Sequence, residues 1–240
     1  MTVSAHNLVR NVRALRLLKT LSPGEAGAVF LDPPAFGPID EGQTVIDERV
    51  AYLTPVAEQV GRVLRPGGAC VFMGGPQATS AWEVVASSAG LQLMAEIIVL
   101  WDMPQNGAGL TSLTTAIRWH VQPGKRYTKN AKLTKVASNV LVCGSVPYAE
   151  RVHPMQRPVE LYNYLVSLLT EKRDLVVDPF CGSGSALVAA ALCGRRWLGG
   201  DADLGLCGVA SERVRHKAVE EQHLGPIYLW TRRRLTPVEG

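Results

Sequence analysis

Apolar positions along the chain recur with two periods, and the chain switches between them many times. "AGAVFLD" (26–32) is a short unbroken apolar run closed by an acid, which predicts a strand buried on both faces. "RVAYLTPVAEQVGRVL" (49–64) carries apolar residues at helical spacing and runs into "RPGG", a helix stop and turn. "ACVFMG" (69–74) predicts a buried strand. "SAWEVVASSAG" (80–90) predicts a helix with Thr79 or Ser80 at its N-cap and Gly90 at its close, and "LQLMAEIIVLW" (91–101) another strand. Further on, "ASNVLVCG" (137–144), "DLVVDPF" (174–180) and "RWLGGD" (196–201) read as strands. "RPVELYNYLVSLLTEK" (157–172), "SALVAAALCG" (185–194) and "LCGVASERVRHKAVEE" (206–221) read as helices, the first with Pro158 near its opening turn. Strands alternating with helices predict an α/β fold over residues 1–240, a mainly parallel sheet flanked by helices. The loop-rich stretch 102–136 is the candidate inserted element, and the tail around "WTRRRLT" is either an extra edge strand or a loose end.

Composition changes this picture little. At 240 residues, 47% hydrophobic and 19% charged, the chain has apolar content enough for a core. It shows no apolar run of membrane-spanning length, and its first twenty residues do not read as a secretory leader. The cysteines at 70, 143, 181, 193 and 207 form no Cys-x-x-Cys pair, so neither a disulfide framework nor a metal site is expected, and a cytoplasmic setting is. Charge adds more. The net value is only +4, yet no acid falls between Met103 and Ala149, where Arg118, Lys125, Arg126, Lys129, Lys132 and Lys135 are interleaved with Trp119 and Tyr127. Such a tract is the footprint of a phosphate-contacting surface, although a solvated lysine-rich loop has the same composition.

Two stretches carry candidate chemistry. "VVDPFCGSGSALVAAAL" is a strand, a glycine turn and a helix. Gly182 and Gly184 permit positive backbone dihedrals and close approach of a ligand, and the helix start at Ser185 offers free amides. Asp201, at the end of the next strand and followed by Ala202, suits ribose hydroxyls. The third glycine of a dinucleotide fingerprint is missing, with Leu187 in its place, and the phosphate-loop ending is absent. Asp178 ahead of the turn would repel a pyrophosphate and favour a cation, so a nucleoside with a positively charged tail fits better. Packing between helix and strand is the plainer role for such a turn.

In "LDPPAFG", Asp32 ends a strand, and Pro33 and Pro34 stiffen the backbone after it. A fixed carboxylate beside a fixed carbonyl can accept both hydrogens of an exocyclic amine. Both stretches lie at carboxyl ends of strands, where open α/β sheets bind ligands.

These stretches, with "HPMQRPVELYNYLVSLLT" between them, resemble the permuted β group of DNA amino-methyltransferases. That family uses S-adenosylmethionine (SAM) to methylate adenine N6 or cytosine N4. The resemblance runs from about Ala26 to Val214 and implies a single Rossmann-like domain in circularly permuted motif order. It implies that Asp32 and the Pro34 carbonyl hold the target amine, with Pro33 stiffening the loop between them, and that Asp178, Pro179, Phe180, Cys181, Gly182, Gly184 and Ser185 lie around the methionine part of SAM. Asp201 and Ala202 would hold the ribose. His153, Arg157 and Pro158 would line the methionine side, with Arg157 where the family has lysine. The partner implied is double-stranded DNA, gripped by the basic tract within a short recognition segment at 102–136. A bacterial, archaeal or phage-encoded cytoplasmic enzyme is expected, alone, paired with itself or serving a restriction system.

The chain departs from the family at Ala35, where an aromatic normally stacks on the flipped base; the neighbouring Phe36 is the candidate to swing in and take that role. Base–aromatic stacking is worth about 1–3 kcal/mol. Ala5 and His6 stand where the family often has Gly-Asp. Asp at the head of the loop leans the target toward adenine N6. Cytosine N4 methylation, or an impaired SAM- and DNA-binding subunit, is the alternative.

Overall fold

The computed structural model describes residues 6–34, 45–74, 76–105, 112–124, 138–216, 224–231 and 234–237. In chain order these form β1 (Leu8–Asn11), α1 (Ala14–Leu18), β2 (Ala26–Leu31), α2 (Val45–Val63), β3 (Leu64–Met73), α3 (Pro76–Ser88), β4 (Gln92–Gln105) and β5 (Ser112–Val121). They continue with β6 (Val140–Cys143), α4 (Val159–Leu169), β7 (Leu175–Asp178), α5 (Ser185–Leu192), β8 (Arg196–Asp201), α6 (Leu204–Arg215), β9 (Ile227–Thr231) and β10 (Arg234–Pro237). All these strands join one sheet, ordered β1-β8-β7-β2-β3-β5-β4-β6-β9-β10.

The run β1, β8, β7, β2, β3 is parallel throughout, and β4 pairs parallel with β6. β5 lies antiparallel between β3 and β4, and β9 and β10 add antiparallel strands beyond β6. The sheet is therefore mixed, and the tail supplies the extra edge strands that its sequence left open.

Pleating divides each inner strand between two cores. Phe30, Val71, Met73 and Val176 point toward α4, α5 and α6, whereas Val29, Leu31, Cys70, Phe72, Leu175 and Val177 point toward α1, α2 and α3. This double burial is why the strands read as unbroken apolar runs. In the second core, Phe72 stacks on Trp82 with ring centroids 4.8 Å apart.

Several local expectations are corrected. The helix of residues 80–90 begins four residues earlier, at Pro76, so Thr79 and Ser80 are not its N-cap; Thr79 Oγ1 donates to the Gly74 carbonyl (3.3 Å) from within the first turn. Within residues 102–136, the candidate inserted element, β4 runs on to Gln105 and β5 occupies 112–121 in the sheet. Alternation had marked it: Ile117, Trp119 and Val121 face the core, with Arg118 and His120 between them. Arg118, expected in the phosphate-contacting set, spans Glu83 of α3 (3.2 Å) and Glu96 of β4 and so has a pairing role within the fold. Lys125, Arg126, Lys129, Lys132 and Lys135 lie outside the described residues, as do Ala35 and Phe36. Among the described residues, no helix is long and apolar enough to cross a membrane, and no cluster could hold a metal ion. All five cysteines are free thiols.

Candidate active site

Three parallel strands end in, or immediately before, a carboxylate. Asp32 follows β2, Asp178 is the last residue of β7, and Asp201 is the last of β8. Because β8, β7 and β2 are adjacent and parallel, the three acids meet at one edge of the sheet. They open on a cavity of about 540 Å³, within the usual size range for small-molecule sites.

Each carboxylate is held differently. Asp201 accepts from the Gly182 amide at Oδ2 (3.0 Å) and from the Asp203 amide at Oδ1 (2.9 Å). Its strand is braced by Asn11 of β1, whose Nδ2 donates to the Asp201 and Ala202 carbonyls (3.1 and 2.9 Å). Asp178 is 5% exposed and accepts from the Phe180 amide at Oδ1 (3.1 Å). Burial pushes its carboxyl up to about 8; the Phe180 hydrogen bond works against that, and the charges of Asp32 and Asp201 add to it. Asp32, half-buried, accepts from Arg157 Nε at Oδ2 (3.0 Å). That carboxylate is the main reason the guanidinium binds its proton still more tightly than usual.

Arg13 and Arg157 line the cavity against these three acids, and Arg157 is committed to Asp32, so the cavity suits a cationic ligand. Tyr52 and Phe180 form one wall, their rings tilted with centroids 6.4 Å apart. On the Asp32 side lies Tyr162, seated edge-on against Phe30. Burial, then the charges of Asp32 and Asp178, keeps its phenol protonated far above the ordinary range. Cys181 also lines the cavity, and burial pushes its thiol so high that it offers no thiolate nucleophile.

The two glycines of the turn do different work. Gly182 (φ +48°) faces the cavity, and a Cβ there would meet nothing nearer than the Phe180 carbonyl at 4.0 Å. Gly184 (φ +83°) turns away. A Cβ on it would sit 2.8 Å from that of Ala210, and its amide donates to the Cys181 carbonyl (2.6 Å). It serves close packing of the turn on α6, between Ser183 and Ser185, which line the cavity.

Asp32, Pro33, Pro34, Asp178, Pro179, Phe180, Cys181, Gly182, Ser185, Asp201, Ala202, His153 and Arg157 all line the cavity. Pro158 does not: it caps α4 and lines a neighbouring cleft of about 780 Å³ beside β6 and β9. Sequence reading missed Arg13 and Ala14, which reach the cavity from the unforeseen β1–α1 unit, and also Tyr52, Met155 and Tyr162. Tyr52 and Tyr162 sit at helical spacing within apolar runs and are indistinguishable there from core residues.

Residues 27–212 match the N6/N4 methyltransferase family model, described as DNA methylase. Over 239 residues the chain is 23% identical to the type II methyltransferase M2.LlaDCHI of Lactococcus lactis subsp. cremoris, covering 85% of this chain and 88% of that one. A 70-residue stretch is 34% identical to the type II methyltransferase M.BamHI of Bacillus amyloliquefaciens; it covers 29% of this chain and only 16% of that relative's length. Among solved structures, the putative DNA modification methylase TTHA0409 from Thermus thermophilus, complexed with S-adenosyl-L-methionine, matches with a TM-score of 0.69 at 22% identity, covering 89% of this chain and 94% of that one. The cytosine-N4-specific PvuII DNA methyltransferase matches with a TM-score of 0.72 at 17% identity, covering 87% and 90%. At these identities the structural likeness is one of fold.

Proposed function

This chain belongs to the N6/N4 DNA methylase family, and we propose that it transfers a methyl group from SAM to the exocyclic amine of a flipped DNA base, adenine N6 before cytosine N4. The observation that carries the proposal is the convergence of Asp32, fixed by Arg157, with the buried Asp178 and the hydrogen-bonded Asp201 around one cavity.

The residues fit SAM. Asp178 is a buried carboxyl with no compensating cation paired to it among the described residues, and the sulfonium and ammonium of SAM would supply one. Asp201 keeps lone pairs for ribose hydroxyls beyond the two amides it already binds. Bound there, SAM supplies an activated methyl group on sulfur.

The chain's own contribution is positioning and electrostatics. Adenine's amine is a poor nucleophile because its lone pair is delocalised into the ring. Asp32 and the Pro34 carbonyl would accept its two hydrogens and draw it toward a tetrahedral geometry. The base must leave the duplex to reach them. Lys125, Arg126, Lys129, Lys132 and Lys135 would contact phosphates meanwhile. No thiol step is invoked, in keeping with the protonated Cys181. The lean to adenine rests on an acid, Asp32, heading the loop.

Ala35 motivates a second reading, a SAM- and DNA-binding subunit that requires a partner for catalysis. Mass spectrometry of nucleosides from unmethylated duplex DNA incubated with the protein and SAM separates the two. N6-methyladenine is expected. N4-methylcytosine would keep the reaction and overturn the base, and no methylated base from SAM-binding protein would favour the subunit.

A further inference from the structure

Arg157 is joined to both halves of the site. Its Nε donates to Asp32 Oδ2 (3.0 Å), and its carbonyl accepts from Ser185 Oγ (2.7 Å) at the start of α5. That second bond is backed from behind. Arg213 of α6, 7% exposed, donates from Nη1 to the Ser183 carbonyl (2.8 Å), to Ser183 Oγ (3.2 Å) and to Ser185 Oγ (3.2 Å). A carbonyl only accepts and a guanidinium only donates, so the Ser185 hydroxyl sends its single proton to the Arg157 carbonyl and accepts from Arg213. Pro158 restricts the backbone of Arg157 further. A continuous chain of hydrogen bonds thus runs from α6 through the glycine turn and Arg157 to the carboxylate after β2.

We propose that Arg157 is a positioning residue that aims Asp32: it occupies Oδ2 and so presents Oδ1 to the target amine, with the glycine turn setting its own place. The inference rests on the methyltransferase reading above. An arginine is suited to this task because its Nε–H is fixed in the guanidinium plane and meets a carboxylate from one side. A lysine at 157 would keep the charge and lose that direction. Ser185 gives the cofactor turn and the acceptor loop a common reference, so donor and acceptor are set by one network.

The test compares Arg157→Met, Arg157→Lys and Ser185→Ala with the unmodified chain. SAM affinity would be read by calorimetry, and transfer by single-turnover methylation at saturating SAM and duplex DNA. Misplacing a reacting group by about 1 Å costs roughly 100-fold, so Arg157→Met should lose on the order of 100-fold in the transfer rate with SAM affinity within about threefold. Arg157→Lys should recover to within roughly 10-fold of the unmodified rate, and Ser185→Ala should lose about 3–10-fold. Ser185→Ala leaves the ion pair intact and decides the matter if Arg157→Met does not fold. An unchanged or faster rate in Arg157→Met would overturn the proposal, the faster one because the pair would then be a block to the amine. So would a parallel loss of SAM affinity and rate. If the unmodified chain transfers no methyl group, the underlying reading falls and takes this inference with it; transfer that is indifferent to Arg157 sinks the inference alone.

Discussion

Two arginine–carboxylate pairs stand at opposite ends of the strands around β2. At the amino end, just before β7, Asp174 receives Arg65 through both Nε (3.2 Å, to Oδ1) and Nη2 (2.9 Å, to Oδ2), and the Glu171 amide (2.8 Å) besides. β2 makes room for it, because a Cβ on Gly27 would lie 2.3 Å from the Asp174 Cγ. At the carboxyl end, Asp32 receives Arg157 through Nε alone. The first pair is forked and consumes its carboxylate, as a structural pair should. The second engages one oxygen of a carboxylate that lines the cavity. Similar residue types, met by one donor group or by three, make a brace in one place and an acceptor in the other.

The most severe way to break this contrast is to remove the charge of the acceptor. Asp32→Asn should lower single-turnover methylation on the order of 1,000-fold while SAM affinity stays within a few-fold, because a transition-state acceptor has been replaced. Near-normal transfer by that variant would end the amine-acceptor role.

A second measurement probes the buried acid at the carboxyl end, Asp178. Asp178 is protonated in the ligand-free protein below about pH 8 and must ionise to face a cation. SAM affinity should therefore rise with pH by up to about tenfold per unit and level off near 8. The folded-state value lies above the ordinary 3.8, so the ligand-free protein binds this proton more tightly folded than unfolded. Its contribution to stability accordingly falls as pH rises from about 4 to about 8, and SAM reverses that loss. Thermal shifts with and without SAM, one point well below and one just above the Asp178 value of about 8, check both signs.

A third variant addresses the brace. Asp174→Ala should leave transfer within about twofold and cost roughly 2 kcal/mol of stability, read by denaturant unfolding, since it strands a partly buried arginine. A large loss of activity at unchanged stability would mean the two ends are not separate.

The smallest effects are expected among the basic residues. Each of Lys125→Ala and Arg126→Ala should reduce the salt dependence of DNA binding by about one unit of slope. Arg118→Ala should leave that slope unchanged and lower stability instead, having lost Glu83 and Glu96.

Much of the site was legible because its chemistry is local. Asp32, Asp178 and Asp201 announce themselves as acids at the ends of apolar runs, the first two beside prolines and the third after a pair of glycines. What the sequence hid was pairing at a distance. Arg118 looked like a free cation until Glu83 and Glu96 closed on it. Arg157 looked like one more cavity residue, because nothing in "HPMQRP" points to a carboxylate 125 positions earlier. β1 was missed because "LVRN" is four residues long, and its strand character comes from β8 alone. Gly184 resembled a ligand glycine because a positive dihedral reads alike whether the missing side chain makes space for a ligand or for Ala210.

The place of β1 beside β8 has a consequence for synthesis. Leu8 through Asn11 leave the ribosome well before their partners, Leu198 through Asp201. Until those partners emerge, β1 and β2 flank a gap two strands wide, about 14 Å from strand to strand. No nascent chain that stops short of Asp201 can hold the whole cavity, because Asp178 and Asp201 are the last of its acids to be made. Ligand binding thus comes only after β7 and β8 have filled that gap, which makes retention of SAM a reporter of its closure.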